Sequence, residues 1–306
     1  MKPTEPKRLA VDHADRVDKA LARHYPDAGR RQLAALFDDG CVRVAGKRAK
    51  KGDRVVAGDI IELSREPVSG DALRPLAEPA ELSVLLERPE LVVIDKPAGM
   101  PSQPLRAGEL GTAANAIAAR WPECAAIGDD PRDGGLVHRL DIGTSGALVA
   151  ARTADAYRAL RDAFAAGLVG KTYLAITDGR PVSRECDAPL VQRGKRVVVD
   201  YTDGLAAFTT FVVERASDTH ALVRCTAQTG RMHQVRAHLA NVGAPITGDT
   251  LYGGTALAGD PGFFLHAATI TLPSTTTLPL DGAPLTITAP LPSRFAAALA
   301  AVGLSA

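Results

Sequence analysis

The chain has 306 residues and a mass of 32.0 kDa, with 46% hydrophobic and 23% charged residues and a net charge of +1. That composition excludes a wholly disordered chain, and the length suits one large domain or two smaller ones. Taken alone, the near-neutral total speaks against nucleic acid as a partner.

The start, MKPTEPKRLAVDH, has no apolar run behind its basic residues, so no secretory signal is expected. No apolar stretch approaches the ~20 residues that span a bilayer, so no membrane association is expected. Cys41, Cys124, Cys186 and Cys225 are scattered and form no C-x-x-C pair. This argues against a disulfide framework or a zinc site and for reduced thiols in a cytoplasmic protein.

Residues 14 to 63 read as one block. Val17, Leu21 and Ala22 recur at helical spacing, and a second helix runs through Leu33, Leu36 and Phe37 behind Arg30 and Arg31. Asp39-Gly40 stops it. Cys41 to Val44 alternates as a strand, Ala45-Gly46 turns, and Lys47 to Arg54 forms a basic loop. Val55 to Leu63 reads as extended chain around Gly58-Asp59. Residues 1–65 hold 15 Lys and Arg against 10 Asp and Glu, a net of +5, which leaves −4 on the rest. The basic residues are either a solvated surface or one phosphate-binding face built from Arg16, Arg30, Arg31, Arg43, Lys47, Arg48, Lys50 and Lys51. RVDKALA, RRQLAALFDDGCVRVAGKRAKKGDRV and GDIIEL, taken in order, resemble the S4 RNA-binding domain. That resemblance implies docking on structured RNA. Residues 66–82, with Pro67, Pro75 and Pro79, read as a linker.

From 83 to 306 short β-rich runs dominate: Leu91 to Ile94, Gly146 to Ala151, Thr172 to Ile176, Val197 to Val199, Ala207 to Val213, Ala221 to Cys225 and Thr269 to Leu272. Helical patterns cover Thr112 to Arg120, Ala154 to Ala166, Met232 to Asn241 and Ser293 to Ala301. Strands and helices do not alternate regularly. The expected class is therefore α+β, a mixed, mainly antiparallel sheet with flanking helices. A hairpin turning at Asp281-Gly282 is expected near the end.

The densest polar run is VHRLDIGTSG, Val137 to Gly146, a loop between apolar strand-like segments. Within it Asp141 can act as acid, base or nucleophile, or simply cap the turn. In TGRMHQVRAHL, Arg231 and Arg236 are either a solvated face or a fork for a buried carboxylate or phosphate. His233 and His238, five apart, do not suit a metal on one helical face. VIDKPAGMP is a strand followed by a punctuated loop, and Lys171 and Tyr173 alternate onto one face of a strand. Tyr173 is a core residue or a base-stacking one. No phosphate loop, Rossmann fingerprint or G-x-S-x-G elbow is present.

In the same order, VIDKPAGMPSQP, GLVHRLDIGTSG, KTYLA, TGRMHQVRAHLANVGAPITGDTLYG, FLHAATITL and APLP resemble the RluA-type pseudouridine synthases. The resemblance spans nearly all of 83–300. It implies an enzyme that isomerises uridine in RNA to pseudouridine, without cofactor or metal. It implies that Asp141 is the catalytic aspartate, Tyr173 the stacking tyrosine that also assists proton removal, and Arg231 the arginine paired with the aspartate. Leu265 is implied as an apolar pocket residue and Arg139 as an RNA or loop contact, with His138 and Lys171 beside the substrate. Ile142-Gly143 and Met232 depart from the family's usual residues. A monomer acting on large-subunit ribosomal RNA is expected. Transfer RNA, a non-catalytic RNA-binding or ribosome-assembly factor, and a hydrolase using Ser145 with a histidine are the other readings.

Overall fold

In the computed structural model, the described residues are 6–26, 28, 30–67, 73–274 and 283–304, with Arg30 and Arg31 described in backbone only. The chain divides into two compact units: 1–74 with 106–108, and 75–105 with 109–306.

The first unit runs β1 (Lys7–Ala10), β2 (Asp15–Arg16), α1 (Val17–His24), α2 (Arg30–Asp38), β3 (Val42–Val44), β4 (Lys47–Arg48), β5 (Arg54–Val55) and β6 (Ile60–Leu63). β1, β6, β3 and β4 form an antiparallel sheet in that order. Val17 and Leu21 of α1 and Leu33, Leu36 and Phe37 of α2 bury against Val42, Ile61 and Leu63. The β3–β4 turn is Ala45-Gly46, both at positive φ (48° and 73°), which matches the twist of a two-residue hairpin. Lys47 and Arg48, read above as loop, are thus strand.

The second unit contains β7 (Ser83–Glu87), β8 (Leu91–Lys96), α3 (Ala113–Arg120), β9 (Ser145–Ala151), α4 (Ala154–Ala165), β10 (Gly170–Asp178), β11 (Glu185–Cys186), β12 (Leu190–Arg193) and β13 (Arg196–Val199). β14 (Thr209–Ala216), β15 (His220–Ala227), α5 (Gln234–Asn241), β16 (Leu265–Leu272), β17 (Leu285–Thr288) and α6 (Ser293–Ala301) follow. Its main sheet is ordered β11-β14-β15-β10-β16-β9-β8-β7, with β17 on β16. β12 and β13 form a separate ribbon. β16 and β17 pair antiparallel, while the expected Asp281-Gly282 turn lies outside the described residues. The class is the mixed, mainly antiparallel α+β one expected from the sequence. Among the described residues only β16 and β9 pair in parallel.

Period-two alternation explains the layering. On β8, Leu91 and Val93 pack with Tyr157 and Leu160 of α4, while Val92 and Ile94 pack with Ala114 and Ile117 of α3. On β10, Ala175 meets Val235 and Leu239 of α5, and Ile176 meets Phe295 and Leu299 of α6. Every residue of β9 is buried, so its run reads as continuously apolar rather than alternating. The stretch read as a linker is not one throughout. Residues 68–72 lie outside the described residues. The chain at 75–82 packs on the second unit, with Asn115 donating to Leu76 O and Gly111 N–H to the Glu78 carboxylate.

The parallel β9–β16 pair joins the two halves of the sheet. Gly146 sits there opposite Ala267 at φ 113°, and a Cβ on it would lie 2.2 Å from Ala267 O. Gly146→Ala is therefore expected to destabilise the protein by about 3 kcal/mol or more. Gly179→Ala, also at positive φ but in open space, is expected to cost only about 1–2 kcal/mol. Urea-unfolding midpoints compare the two, and equal losses would contradict the junction argument.

Candidate active site

The loop 138–144 delivers Asp141 at the entry to β9, beside that junction. Its backbone is pinned from the loop after β8. Ser102 Oγ donates to Leu140 O (2.7 Å) and accepts from Leu140 N–H (3.0 Å), and Gly99 N–H donates to Ile142 O (2.7 Å). Lys96 is completely buried, and its Nζ donates to Pro97 O (3.0 Å), Met100 O (2.7 Å) and Ile142 O (3.3 Å). Burial pushes that ammonium down to about 8, against the pull of Asp141 and Asp95. Gly143 is needed because a Cβ there would strike the Phe263 ring at 2.6 Å.

One carboxylate oxygen of Asp141, Oδ2, accepts from Arg236 Nη1 at 2.9 Å. The rest of that guanidinium is engaged by Asp249, through Nε–Oδ2 at 2.7 Å and Nη2–Oδ1 at 2.9 Å. The Phe263 and Tyr252 rings cover it, 4.5 and 5.0 Å from Cζ. Burial works against its charge, but the two carboxylates outweigh burial and hold the guanidinium above its ordinary value. Among the described residues, no hydrogen bond reaches Asp141 Oδ1.

Arg231, expected to pair with Asp141, does not. It precedes α5, is exposed at the pocket rim, and donates from Nε to Ala206 O (3.0 Å). Arg236, five residues on, lies in α5 on the side that faces the sheet. The reason is the turn before the helix. Buried Gln234 accepts from Arg231 N–H (3.0 Å) and Thr229 Oγ1 (2.7 Å), and donates to Phe208 O (2.9 Å), which locks 229–234 as a bend. Arg231 then falls outside the bend and Arg236 inside it.

Tyr173 and Leu265 line the same pocket as Asp141, Arg231 and Arg236, and Arg139 stands exposed at its edge. The β10–β16 register slips between Thr172 and Leu174, where Tyr173 stands opposite two residues of β16, Ala267 and Ala268, so the bulge lies in β16 facing the tyrosine. Burial, with Asp141 adding to it, pushes the Tyr173 phenol above its usual range.

His138 and Lys171 do not line the pocket. His138 stacks on Phe164 (4.9 Å) and accepts Val149 N–H at Nε2 (3.0 Å), and burial pushes it down to about 3. Lys171 is buried and donates to Thr229 O (3.0 Å), bracing the Arg231 loop from beneath. Ser145 and His266 do meet, Oγ to Nδ1 at 3.0 Å, but both are buried as a rivet between β9 and β16. His238 is held by Thr209 Oγ1 and Ala188 O, away from His233. Among the described residues, no group of three His, Cys, Asp or Glu side chains is placed to hold a metal ion. Residues without a role in the sequence reading are Asp249, Tyr252, Phe263 and His233. All but Phe263 fall within the TGRMHQVRAHLANVGAPITGDTLYG segment, which was their one available signal.

In the first unit, Lys47, Lys50 and Lys51 are exposed and, among the described residues, in no ion pair. Arg43 donates to Gly46 O (3.1 Å). Arg16 is committed to Asp18 through two bonds (3.0 and 2.9 Å), and Arg48 closes the end of α2 by donating to Phe37 O and Asp38 O. The side chains of Arg30 and Arg31 lie outside the description.

Residues 90–241 match the RNA pseudouridylate synthase family model. The ribosomal large subunit pseudouridine synthase D of Xanthomonas campestris is 35% identical over 295 residues, covering 90% of this chain and 86% of that one. A protein described as an uncharacterized RNA pseudouridine synthase from Chloroflexus aurantiacus is 37% identical, covering 92% and 87%. The solved structure of human RNA pseudouridylate synthase domain containing 4 aligns with a TM-score of 0.58 at 24% identity, over 72% of this chain and 93% of that one, a likeness of fold.

The buried Lys96 makes a stability prediction. Its proton is held more weakly in the folded chain, at about 8, than in the unfolded one, near 10.5. Between those values the unfolded state carries the extra proton, so this group makes stability rise with pH from about 8 to 10.5. Urea unfolding of wild type and Lys96→Met across that window is expected to show the stability of wild type gaining on that of the variant as pH rises. Parallel curves would refute it.

Proposed function

The chain belongs to the RNA pseudouridylate synthase family, and from that premise we propose that it converts uridines of large-subunit ribosomal RNA to pseudouridine with Asp141 as the catalytic carboxylate. As a member it is an isomerase acting on RNA. The target class is supported by the name of the Xanthomonas campestris relative, a ribosomal large subunit pseudouridine synthase. The observation that carries the residue assignment is the clamp. Asp141 stands in a pocket with Oδ2 fixed by Arg236 and Oδ1 open, beside an aromatic face at Tyr173 and an apolar wall at Leu265.

The reaction breaks N1–C1′, turns the uracil and joins C5 to C1′. The proton lost from C5 balances the one gained at N1, so no oxidant, cofactor or donor group is needed. The uridine must leave its stack, at a cost of a few kcal/mol. Stacking on Tyr173 returns about 1–3 kcal/mol of this. Oδ1 of Asp141 then faces the sugar, to attack C1′ or to take a proton at C2′. Tyr173 keeps its own proton, since burial opposes the phenolate, which favours stacking over proton removal as its task. Arg236 takes the role first given to Arg231. Its planar fork serves Asp141 and Asp249 at once, which a lysine cannot do. Arg231 and Arg139, exposed at the rim, meet the RNA around the extruded base.

The first unit supplies RNA docking in this reading, through Lys47, Lys50 and Lys51. The protein works as a cytoplasmic monomer, its cysteines free.

Three outcomes test this. Asp141→Asn is expected to abolish tritium release from [5-³H]uridine-labelled RNA while RNA binding survives, and substantial turnover would sink the assignment. Replacing Lys47, Lys50 and Lys51 by Gln is expected to lower the salt slope of RNA binding by about 2–3, and an unchanged slope would remove them from the interface. Mapping pseudouridine in total RNA with and without the gene is expected to show lost sites in large-subunit ribosomal RNA. Losses confined to transfer RNA would overturn the target.

A further inference from the structure

His233 has no task in the account so far. It closes the bend before α5 at φ 53° and ψ 19°, a left-handed backbone uncommon outside glycine. Such a conformation is a pointer to function when the side chain it aims meets the chemistry. Here Nε2 lies 3.9 Å from Asp141 Oδ2, the oxygen that also takes Arg236. The other ring nitrogen, Nδ1, is 3.0 Å from the Tyr252 hydroxyl. That hydroxyl accepts the Val197 N–H at 2.9 Å. The His233 and Tyr252 rings meet edge to face, 5.8 Å apart.

Counting protons fixes the ring's tautomer. Val197 N–H can only donate, so the Tyr252 oxygen is the acceptor there and its own proton points elsewhere. Among the described residues the acceptor in reach is His233 Nδ1. A neutral imidazole that accepts at Nδ1 carries its proton on Nε2, and Nε2 faces Asp141. The ring stays neutral. Burial lowers its affinity for a second proton, Arg236 and Arg139 add to that, and Asp141 and Asp249 only partly oppose it.

We propose that Tyr252 locks His233 as its Nε2–H tautomer, and that His233 is a positioning residue that donates to Asp141 Oδ2 when RNA seats, turning Oδ1 toward the ribose. This rests on Asp141 being the catalytic carboxylate. A carboxylate held at one oxygen by one donor can still swing about its last torsion. Two donors from different directions on the same oxygen remove that freedom. The second donor is uncharged, so it directs the carboxylate without the added stabilisation that a second cation beside Arg236 would give it. The present gap is about 1 Å beyond a hydrogen bond, and catalytic hydrogen bonds are commonly long before substrate binds.

Nitrogen-15 NMR of the full-length protein reads the tautomer directly. The Nε2–H form is expected in wild type and a shift toward Nδ1–H in Tyr252→Phe. An Nδ1–H wild type would overturn the proposal. Turnover is read on [5-³H]uridine-labelled total RNA from cells lacking the gene. Tyr252→Phe is expected to lower kcat about tenfold at pH 8, the scale of one hydrogen bond to a charged group, with apparent KM within about twofold. His233→Gln keeps an N–H donor and retains most of the activity, and Tyr252→Phe added to it has no further effect. A full additional loss in that double variant would make Tyr252 merely structural and end the proposal. An active Asp141→Asn would instead defeat the catalytic assignment and leave the NMR result standing.

Discussion

Arg236 carries one positive charge between two carboxylates in a place nearly closed to water, its side chain 7% exposed and that of Asp249 2%. Taking three charges from water is costly, and the arrangement survives because each donor has a defined acceptor. Removing Arg236 would leave two carboxylates side by side without their counterpart. The geometry is directional as well as neutralising. Asp249 takes the guanidinium's Nε edge in two bonds, which leaves Nη1 as the group that can reach Asp141. The Asp141 loop, α5 and the chain around Asp249 come from distant parts of the sequence, yet the clamp forms only if all three arrive in register. The rest of the unit can be understood as the frame that makes this happen.

That frame turns on the parallel β9–β16 pair. The half-sheet β7-β8-β9 brings the Asp141 loop with its anchors at Lys96 and Ser102. The half-sheet from β16 outward brings Leu265, Tyr173 and, packed on its face, α5. Tyr173 contacts both the α3 cluster and the α5 cluster, so its ring marks where the two halves meet. Gly146 and Gly143 are small for related reasons, one to let β9 and β16 pair, the other to admit the Phe263 ring that covers Arg236.

Much of this is legible in the sequence, for reasons that can be named. β8 and β9 are runs of apolar residues bounded by turn signals, and α4 and α6 keep their apolar faces at helical spacing. The VHRLDIGTSG loop could be read as a polar insertion between buried strands because its flanks are so apolar. What the sequence hid was phase and distance. Arg231 and Arg236 look equivalent as two arginines near a helix start, and only the Gln234-locked bend decides which one points inward. Asp249 lies 13 residues beyond its partner, and Tyr252 acts on His233 through space. Lys171 was placed beside the substrate because strand alternation sets it on one face with Tyr173, but alternation does not show that its ammonium is committed to Thr229 O. The stretch at 75–82 was read as a tether because its prolines resemble a linker, yet its hydrogen bonds to α3 come from backbone and Glu78, which leave no periodic trace.

The charge balance of the chain takes on a different meaning in this light. A total of +1 conceals +5 on residues 1–65 and −4 on the remainder. The remainder is not acidic around its pocket. Arg139 and Arg231 stand exposed at the rim, while Asp249 is buried beneath Arg236 and the half-buried Glu78 holds Gly111. These two anions work as structural partners of a cation and a backbone N–H group, and the cations left at the pocket mouth can meet phosphate. A summed charge is blind to this distinction, because a buried pair and a distant exposed pair contribute the same zero. For a polyanionic substrate the relevant quantity is the sign of the charge that remains accessible, and at this pocket that sign is positive.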